Sequence, residues 1–217
     1  MGKINTEVGI YKYTEKALYL GGKKINKKIA KENLLILKNF LDKNDIEFSL
    51  IFGTLLGAVR EKDFIAHDED TDLFILEKDK KKLLNILFNL RKVGFEVVRY
   101  ERQSLLSIMR QGEYIDFYIF EESSDFLKCG KMTISAKYFK SLDTLPFLGG
   151  VFNVPINYKE WLKEWYGETW HTPRERNISK KEVLVGRIKS YMKILLPSKI
   201  VKLLQKKNKE QKSDCYF

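Results

Sequence analysis

The spacing of apolar residues in the first third of the chain switches between a helical and a strand period. Apolar positions three and four residues apart follow Asn26 over 29–41, which predicts an amphipathic helix capped by that asparagine. The apolar run 48–52 predicts a buried strand. Gly53-Thr54 ends this strand, and the next residues, 55–60, are expected to form a short helix.

The middle of the chain predicts a sheet flanked by helices. Residues 70–76 are expected to form a strand, and Asp79 to cap the helix after it. A period of two then predicts three more strands, over 95–100, 105–109 and 114–120. The last two strands are expected to pair as a hairpin across Gly112. The fold class is therefore α/β (α+β), a mixed sheet with helices packed against it.

The C-terminal part contains two capping-box patterns. Asn157 with Glu160, and Ser179 with Glu182, predict helices that start one residue after the capping residue. Pro197 is expected to interrupt the second helix, so that a separate basic helix follows it.

Charge is distributed unevenly. The 217 residues, 44% hydrophobic and 32% charged, are typical of a globular chain of one domain with an appendage. The formal charge is +11, and residues 180–217 hold eleven Lys or Arg against three acidic residues. We therefore expect a catalytic domain over 1–178 and a basic amphipathic helical tail over 179–217. Such a tail can lie on an anionic membrane.

Location is predicted from what the sequence lacks. The N-terminus has no apolar signal segment, and no window approaches about 18 apolar residues. Cys129 and Cys215 match no redox or metal spacing and are interpreted as structural. We expect a cytoplasmic protein, peripheral on the inner face of the cell membrane if the tail binds there.

Three carboxylates carry the candidate chemistry. Asp70 and Asp72 leave the same face of their predicted strand and repel each other unless a cation neutralises them. Asp116 is the one charged residue in the apolar run 114–120, where an unpaired carboxylate is costly. If these strands are neighbours, the three aspartates converge and can hold Mg²⁺ (or Mn²⁺), two ions about 4 Å apart suiting displacement at phosphorus. Asp116 is also a candidate for receiving the proton of an acceptor hydroxyl.

The glycine turn adds a candidate phosphate site. Gly53 and Thr54 supply a close backbone approach, N–H groups at a helix N-terminus and one hydroxyl. Arg60 and Lys62 follow closely and can offset phosphate charge. Each feature alone has a structural explanation, a solvated strand end or an ordinary turn. Their order along the chain favours the functional interpretation.

These residues resemble the LicD/fukutin family, whose pattern is G-T-L-L-G-x-x-R, a short loop and an acidic run ending in D-x-D. Here the two parts are FGTLLGAVR over 52–60 and FIAHDEDTD over 64–72. A second family hallmark, a tyrosine-glycine stretch ending in tryptophan, has its counterpart in YGETW over 166–170, with one additional residue in the gap. The resemblance covers roughly residues 30–175.

The resemblance implies a nucleotidyltransferase-type fold and the transfer of phosphocholine, ribitol phosphate, glycerol phosphate or a related phospho-alcohol. The donor would be CDP-linked, and the acceptor a hydroxyl of a cell-surface glycan or its lipid-linked precursor. The family's catalytic carboxylates carry over onto Asp70, Asp72 and Asp116. Gly53 and Thr54 carry over as donor-phosphate contacts, and Arg60 as the basic residue of the motif.

Where many family members have an aromatic residue and three aspartates, this chain has His67, Asp68, Glu69 and Asp70, and Thr71 replaces an apolar residue. His67, Asp68 and Glu69 are acceptor or loop candidates. Trp170 is a further candidate on the acceptor side. The four aromatic residues of the second hallmark region either box a cation or pack a helix: Trp161, Trp165, Tyr166 and Trp170.

Two other functions share parts of this evidence. A nucleotidyltransferase that moves a nucleotide from a nucleoside triphosphate would need the same metal site. A basic nucleic-acid-binding module would fit the charge, but the sequence has no RRM, KH or zinc signature. The general base stays open between Asp116 and the 67–69 loop.

Overall fold

The computed structural model describes residues 1–18 and 23–173, together with the isolated positions 181, 183–185, 188 and 191. The expected helix after Ser179, its interruption at Pro197 and the basic tail over 179–217 lie essentially outside the described residues. Among the residues that are described, no helix is both long and apolar enough to cross a bilayer.

Eleven strands and five α-helices make up the described chain. The strands are β1 (Gly2–Thr6), β2 (Gly9–Tyr13), β3 (Phe48–Leu50), β4 (Asp70–Leu76), β5 (Glu96–Glu101), β6 (Leu105–Arg110), β7 (Glu113–Ser123), β8 (Phe126–Cys129), β9 (Met132–Ser135), β10 (Leu142–Phe147) and β11 (Gly150–Pro155). The helices are α1 (Lys27–Lys43), α2 (Phe52–Arg60), α3 (Glu77–Asn85), α4 (Leu87–Lys92) and α5 (Tyr158–Tyr166), with a 3₁₀ turn over Ala136–Tyr138.

The central sheet has the strand order β3-β4-β7-β6-β5, and β8 and β9 extend it from the second half of β7. Only the β4–β7 pair is parallel among these neighbours; β3, β5 and β6 each pair antiparallel. Two separate hairpins, β1–β2 and β10–β11, complete the fold. The predicted mixed sheet flanked by helices is confirmed, whereas β1–β2, β8–β9 and β10–β11 were not anticipated.

Helix α1 follows its sequence pattern closely. The side-chain oxygen of Asn26 accepts a hydrogen bond from the backbone N–H of Ile29 at 3.2 Å, which confirms the predicted cap. The apolar face buries Ala30, Leu34 and Leu37 against the sheet. The predicted hairpin is confirmed too, because Gln111 and Gly112 both adopt positive φ between β6 and β7.

The strand predicted over 48–52 is shorter than expected. It ends at Leu50, and Phe52 already opens α2 with φ 46°, in the left-handed region. Phe52, and not Gly53, therefore makes the sharp strand-to-helix turn. Packing of the Phe52 ring against Tyr118 and Trp161 stabilises this unusual backbone conformation.

Two predicted helix caps are wrong. Helix α3 begins at Glu77, and Asp79 lies in its first turn, paired with Lys82 at 2.9 Å. Helix α5 does begin at Tyr158, but the Asn157 side chain makes no capping bond, since its backbone is left-handed with φ 53°. Acidic residues still lie in the first turn of both helices, where the helix dipole favours them.

Candidate active site

Three aspartates converge where β4 begins. Asp68, Asp70 and Asp72 each offer one carboxylate oxygen, and these oxygens lie within 4.8 Å of one another. Asp70 and Asp72 share a face of β4 because they are two residues apart, and Asp68 reaches them from the loop before the strand. Three hard oxygen ligands at this separation are suited to a divalent cation such as Mg²⁺.

The start of α2 fixes one of these carboxylates. The backbone N–H of Gly53 donates to Oδ2 of Asp72 at 3.0 Å, and the Thr54 hydroxyl accepts the backbone N–H of Asp72 at 2.8 Å. A Cβ on Gly53 would overlap Oδ2 of Asp68 and lie 3.2 Å from Oδ2 of Asp72. Glycine is therefore required here for space rather than for a positive φ.

A row of side chains crosses the sheet to the same place. Asp72 on β4 stands opposite Asp116 on β7, Asp116 opposite Ser107 on β6, and Ser107 opposite Arg99 on β5. Arg99 donates from Nη2 to Oδ2 of Asp116 at 2.5 Å and from Nε to the Ser107 hydroxyl at 2.9 Å. The other carboxylate oxygen of Asp116 is buried and has no hydrogen-bond partner among the described residues.

Electrostatics at the site reflect crowding of negative charge. Burial raises the pKa of Asp70 well above its ordinary value, and repulsion from Asp116 and Asp68 adds to this. The pKa of Asp72 is raised for the same reasons, with burial first and Asp70 second. Burial also raises the pKa of Asp116, although the neighbouring Arg99 counters the shift. A bound cation would relieve this repulsion.

A pocket of about 350 Å³ opens onto the three aspartates. Its lining combines these carboxylates with aromatic and thioether surface: Phe52, Gly53, Asp68, Asp70, Asp72, Tyr118, Met132, Trp165 and Tyr166. Burial, followed by the charge of Asp72, raises the pKa of Tyr118 far above its usual range, so its hydroxyl keeps the proton.

A smaller pocket of about 160 Å³ shares Tyr166 with the first, and Arg60, His67 and Trp170 are in its lining. Arg60 donates to the Trp170 carbonyl at 3.3 Å and pairs with Glu61 at 2.7 Å. The two sequence hallmarks, one ending at Arg60 and the other at Trp170, are thus in direct contact.

The predicted site residues separate into two groups. The cation-sized cluster contains Asp70 and Asp72 together with Asp68, whereas the sequence predicted Asp116 as its third member. Asp116 lies on the neighbouring strand, opposite Asp72. Glu69 lies beside the cluster, close enough for its charge to raise the pKa of Asp70.

All four residues expected to contact donor phosphate have other partners, and those of Arg60 are the Trp170 carbonyl and Glu61. Thr54 is 1% exposed and its hydroxyl holds β4, so it is inaccessible to a phosphate. The N–H of Gly53 is already donated to Asp72. Lys62 bonds the Val59 carbonyl and lines neither of the two pockets described above.

Sequence reasoning missed Arg99, Ser107 and Tyr118. Tyr118 was detectable, because it lies two residues beyond Asp116 on the same strand face. Arg99 was detectable only as a charged residue inside the predicted strand 95–100, and its pairing with Asp116 depends on a register that the sequence does not specify.

Comparison with known proteins agrees with this geometry. The model of the LicD/FKTN/FKRP nucleotidyltransferase domain matches residues 45–157, which include α2, the three clustered aspartates and Asp116. The ribitol-5-phosphate transferase FKTN of Homo sapiens is 27% identical over 157 residues, covering 68% of this chain and 34% of that protein. An uncharacterized protein of Rickettsia prowazekii is 29% identical over 161 residues, covering 65% of this chain and 59% of its own length.

Among solved structures, the antibiotic-resistance factor ANT(2'')-Ia in solution superposes with a TM-score of 0.48 at 9% identity, covering 87% of this chain and 95% of the other. The chain spans about a third of the length of FKTN. The family model, in contrast, matches more than half of this chain. The chain therefore belongs to the LicD/FKTN/FKRP nucleotidyltransferase-domain family.

Proposed function

We propose that the protein is a metal-dependent transferase that moves a phospho-alcohol from a CDP-linked donor to a hydroxyl of a glycan or its lipid-linked precursor. The observation that carries the proposal is the cluster of Asp68, Asp70 and Asp72, held by the start of α2 and flanked by Asp116. The similarity to a ribitol-5-phosphate transferase supports a phospho-alcohol as the group transferred.

The donor set favours Mg²⁺, with Mn²⁺ as a substitute. The cluster offers carboxylate oxygens and no sulfur or imidazole ligand, which is the set that hard divalent cations prefer. Asp68, Asp70 and Asp72 would hold the ion, and Asp116 borders the same site. When bound, the ion would neutralise phosphate charge on the donor and on the departing CMP.

Asp116 is the proposed acceptor of the hydroxyl proton. Its ion pair with Arg99 stabilises the charged carboxylate. Its second oxygen has no hydrogen-bond partner among the described residues, but it is buried and Asp116 does not line the pocket, so the proposed proton transfer requires this oxygen to become accessible when the donor and the ion bind. In the proposed reaction the acceptor oxygen bonds to the phosphorus of the phospho-alcohol, the bond to CMP breaks, and the hydroxyl proton passes to Asp116. CMP leaves with the bonding electron pair.

The proposal extends to the organisation of the chain. Residues 1–178 would form the catalytic domain, and the basic segment 179–217 would bring it to an anionic membrane surface carrying a lipid-linked acceptor. This part rests on the charge of that segment, where eight of the eleven net positive charges lie. Flotation with anionic and neutral liposomes tests it, and equal binding to both would contradict it.

The central experiment incubates the protein with Mg²⁺ or Mn²⁺ and, in turn, CDP-choline, CDP-ethanolamine, CDP-glycerol, CDP-ribitol, CTP and ATP. We expect metal-dependent release of CMP from one CDP-alcohol, and loss of that release in the Asp70→Asn/Asp72→Asn variant. Release of pyrophosphate from CTP or ATP instead would assign the site to nucleotidyl transfer and contradict the proposal.

A further inference from the structure

One tryptophan of α5 is unlike its aromatic neighbours. Trp161 and Phe52 are buried, whereas Trp165 is 41% exposed. The Trp165 ring stacks on Trp161 at 5.9 Å with an interplanar angle of 4°, and its centroid lies 5.0 Å from that of Phe52. Trp165 is therefore packed against two buried aromatic rings while part of its surface stays accessible. Trp161 alone is the buried tryptophan that anchors α5 to the core.

Trp165 is one of the residues that line the pocket containing the three aspartates. Among the described residues, those that line this pocket are aromatic residues, one methionine, one glycine and carboxylates, with no Lys, Arg, Asn or Gln. An apolar ring surface beside hydrogen-bond acceptors fits a ligand with one apolar face and a rim of hydroxyl donors.

We propose that Trp165 is the stacking platform for the sugar ring of the acceptor. This inference rests on the proposed function. It adds that Trp165 is the residue of the site that binds the acceptor as an uncharged saccharide. The C–H face of a pyranose would lie on the indole, and its hydroxyls would face the acidic side of the pocket. One of these hydroxyls would then lie beside the aspartates, where the donor phosphate is proposed to react.

Two other ligands fit the lining less well. A nucleobase needs partners for the donors and acceptors along its edge, and the described part of the lining offers no side-chain amide. An organic cation would be attracted by the aspartates, but a bound divalent cation takes up that charge. Both ligands are nevertheless distinguishable by experiment.

The first arm of the test is binding, which requires no turnover. The chain has three tryptophans, so the three indole N–H resonances can be assigned with Trp→Phe variants. Methyl glycosides of glucose, galactose, N-acetylglucosamine and N-acetylgalactosamine are titrated into the Mg²⁺-loaded protein, alongside tetramethylammonium and cytidine. We expect at least one glycoside to shift the Trp165 resonance more than that of Trp170. A shift by tetramethylammonium or cytidine only, or by none of the probes, would overturn the proposal.

The second arm is kinetic, with Trp165→Ala, Trp165→Phe and the control Phe126→Ala, which removes an exposed aromatic residue of β8 outside the pocket. We expect Trp165→Ala to raise the KM for the saccharide acceptor about tenfold, a larger change than in the donor KM, and Trp165→Phe to restore part of it. A rise confined to the donor KM would overturn the platform. A wild-type protein that releases no CMP would instead contradict the proposed function, and the binding arm would still decide the role of Trp165.

Discussion

Arg99 on β5 and Asp116 on β7 form an ion pair across the intervening strand β6, with Nη2 of Arg99 2.5 Å from Oδ2 of Asp116. Arg99 is partly exposed, whereas Asp116 is 2% exposed, so the arginine is the link between a buried carboxylate and solvent. The pair occupies one carboxylate oxygen and leaves the other without a partner among the described residues. Arg99 therefore orients Asp116 as well as stabilising its charge.

Removal of Arg99 should cost both stability and activity. We expect Arg99→Met to lower the free energy of unfolding by about 2 kcal/mol, because Asp116 is left buried and unpaired. The same variant should lower kcat about tenfold or more, since Asp116 loses its orientation. Arg99→Lys keeps the charge but lacks the planar guanidinium, so its stability and its kcat should lie between those of the wild type and Arg99→Met. Urea unfolding and initial rates measure these effects, and a fully active Arg99→Met would contradict this role.

The crowded aspartates should make the metal-free protein less stable than a neutralised variant. Asp70→Asn removes one charge from a cluster in which burial first, and repulsion between the aspartates second, raise the pKa values of Asp70 and Asp72. We expect it to raise the Tm in EDTA by about 2–4 °C, which corresponds to about 1 kcal/mol for a chain of this size. The stabilisation by added Mg²⁺ should disappear in the same variant. A variant less stable than the wild type in EDTA would argue against strain between these charges.

The pH dependence of stability follows from the same shifts. Above the ordinary value of 3.8, the unfolded chain loses the protons of Asp70 and Asp72 while the folded chain retains them, because folding raises both pKa values. The native state then binds more protons, so its stability falls as the pH rises from that value through the folded-state pKa values. Urea midpoints in EDTA from pH 4 to 8 should show a decline in the wild type relative to Asp70→Asn/Asp72→Asn. A difference in urea midpoint between the wild type and the double variant that does not change with pH would contradict the raised pKa values of Asp70 and Asp72.

Two glycines of α2 should respond differently to the same substitution. A Cβ at Gly53 meets a carboxylate oxygen of Asp68, a side-chain atom that can rotate away, but only by disturbing the cluster. We expect Gly53→Ala to weaken Mg²⁺ binding tenfold or more, to about the extent seen when metal-ligand orientation is lost. Its effect on stability should be small, since alanine favours helix.

Gly57→Ala is the matched control. A Cβ there lies 2.6 Å from the backbone carbonyl oxygen of Asp63, which cannot move without shifting the chain. We expect a loss of about 1–3 kcal/mol in stability, with the Mg²⁺ affinity of the folded fraction retained. Isothermal titration of both variants with Mg²⁺ separates the two effects, and equal losses of affinity would contradict the distinction.

Sequence periodicity predicted the elements that pack by simple amphipathic rules, such as α1, β4 and the β6–β7 hairpin. It missed β10 and β11, because Gly150 and Pro146 in these strands do not follow a clear alternation of apolar and polar residues. It also placed the strand-to-helix turn at Gly53, because the left-handed backbone at Phe52 depends on packing against Tyr118 and Trp161, which are distant in sequence.

The candidate site was predictable to a similar extent. Asp70 and Asp72 follow from strand geometry, and Asp116 from the cost of burying an isolated carboxylate. The closeness of Asp68 to Asp70 and Asp72 depends on the path of the loop, and the ion pair of Asp116 on the register of β5. Local sequence patterns encode neither the path of this loop nor the register of β5. The aspartates could therefore be predicted as candidates, but not which of them cluster and which one pairs with Arg99.

The parallel pairing of β4 with β7 also has a consequence for the order of folding. Strands β5, β6 and β7 are consecutive antiparallel neighbours, so their local contacts can form early, whereas β4 and β7 pair only after a long loop has closed. We therefore expect Asp116 to meet Arg99 within the three-stranded unit before it approaches Asp72. Its negative charge would then be compensated before the two halves of the sheet join, which would lower the electrostatic barrier to the joining step.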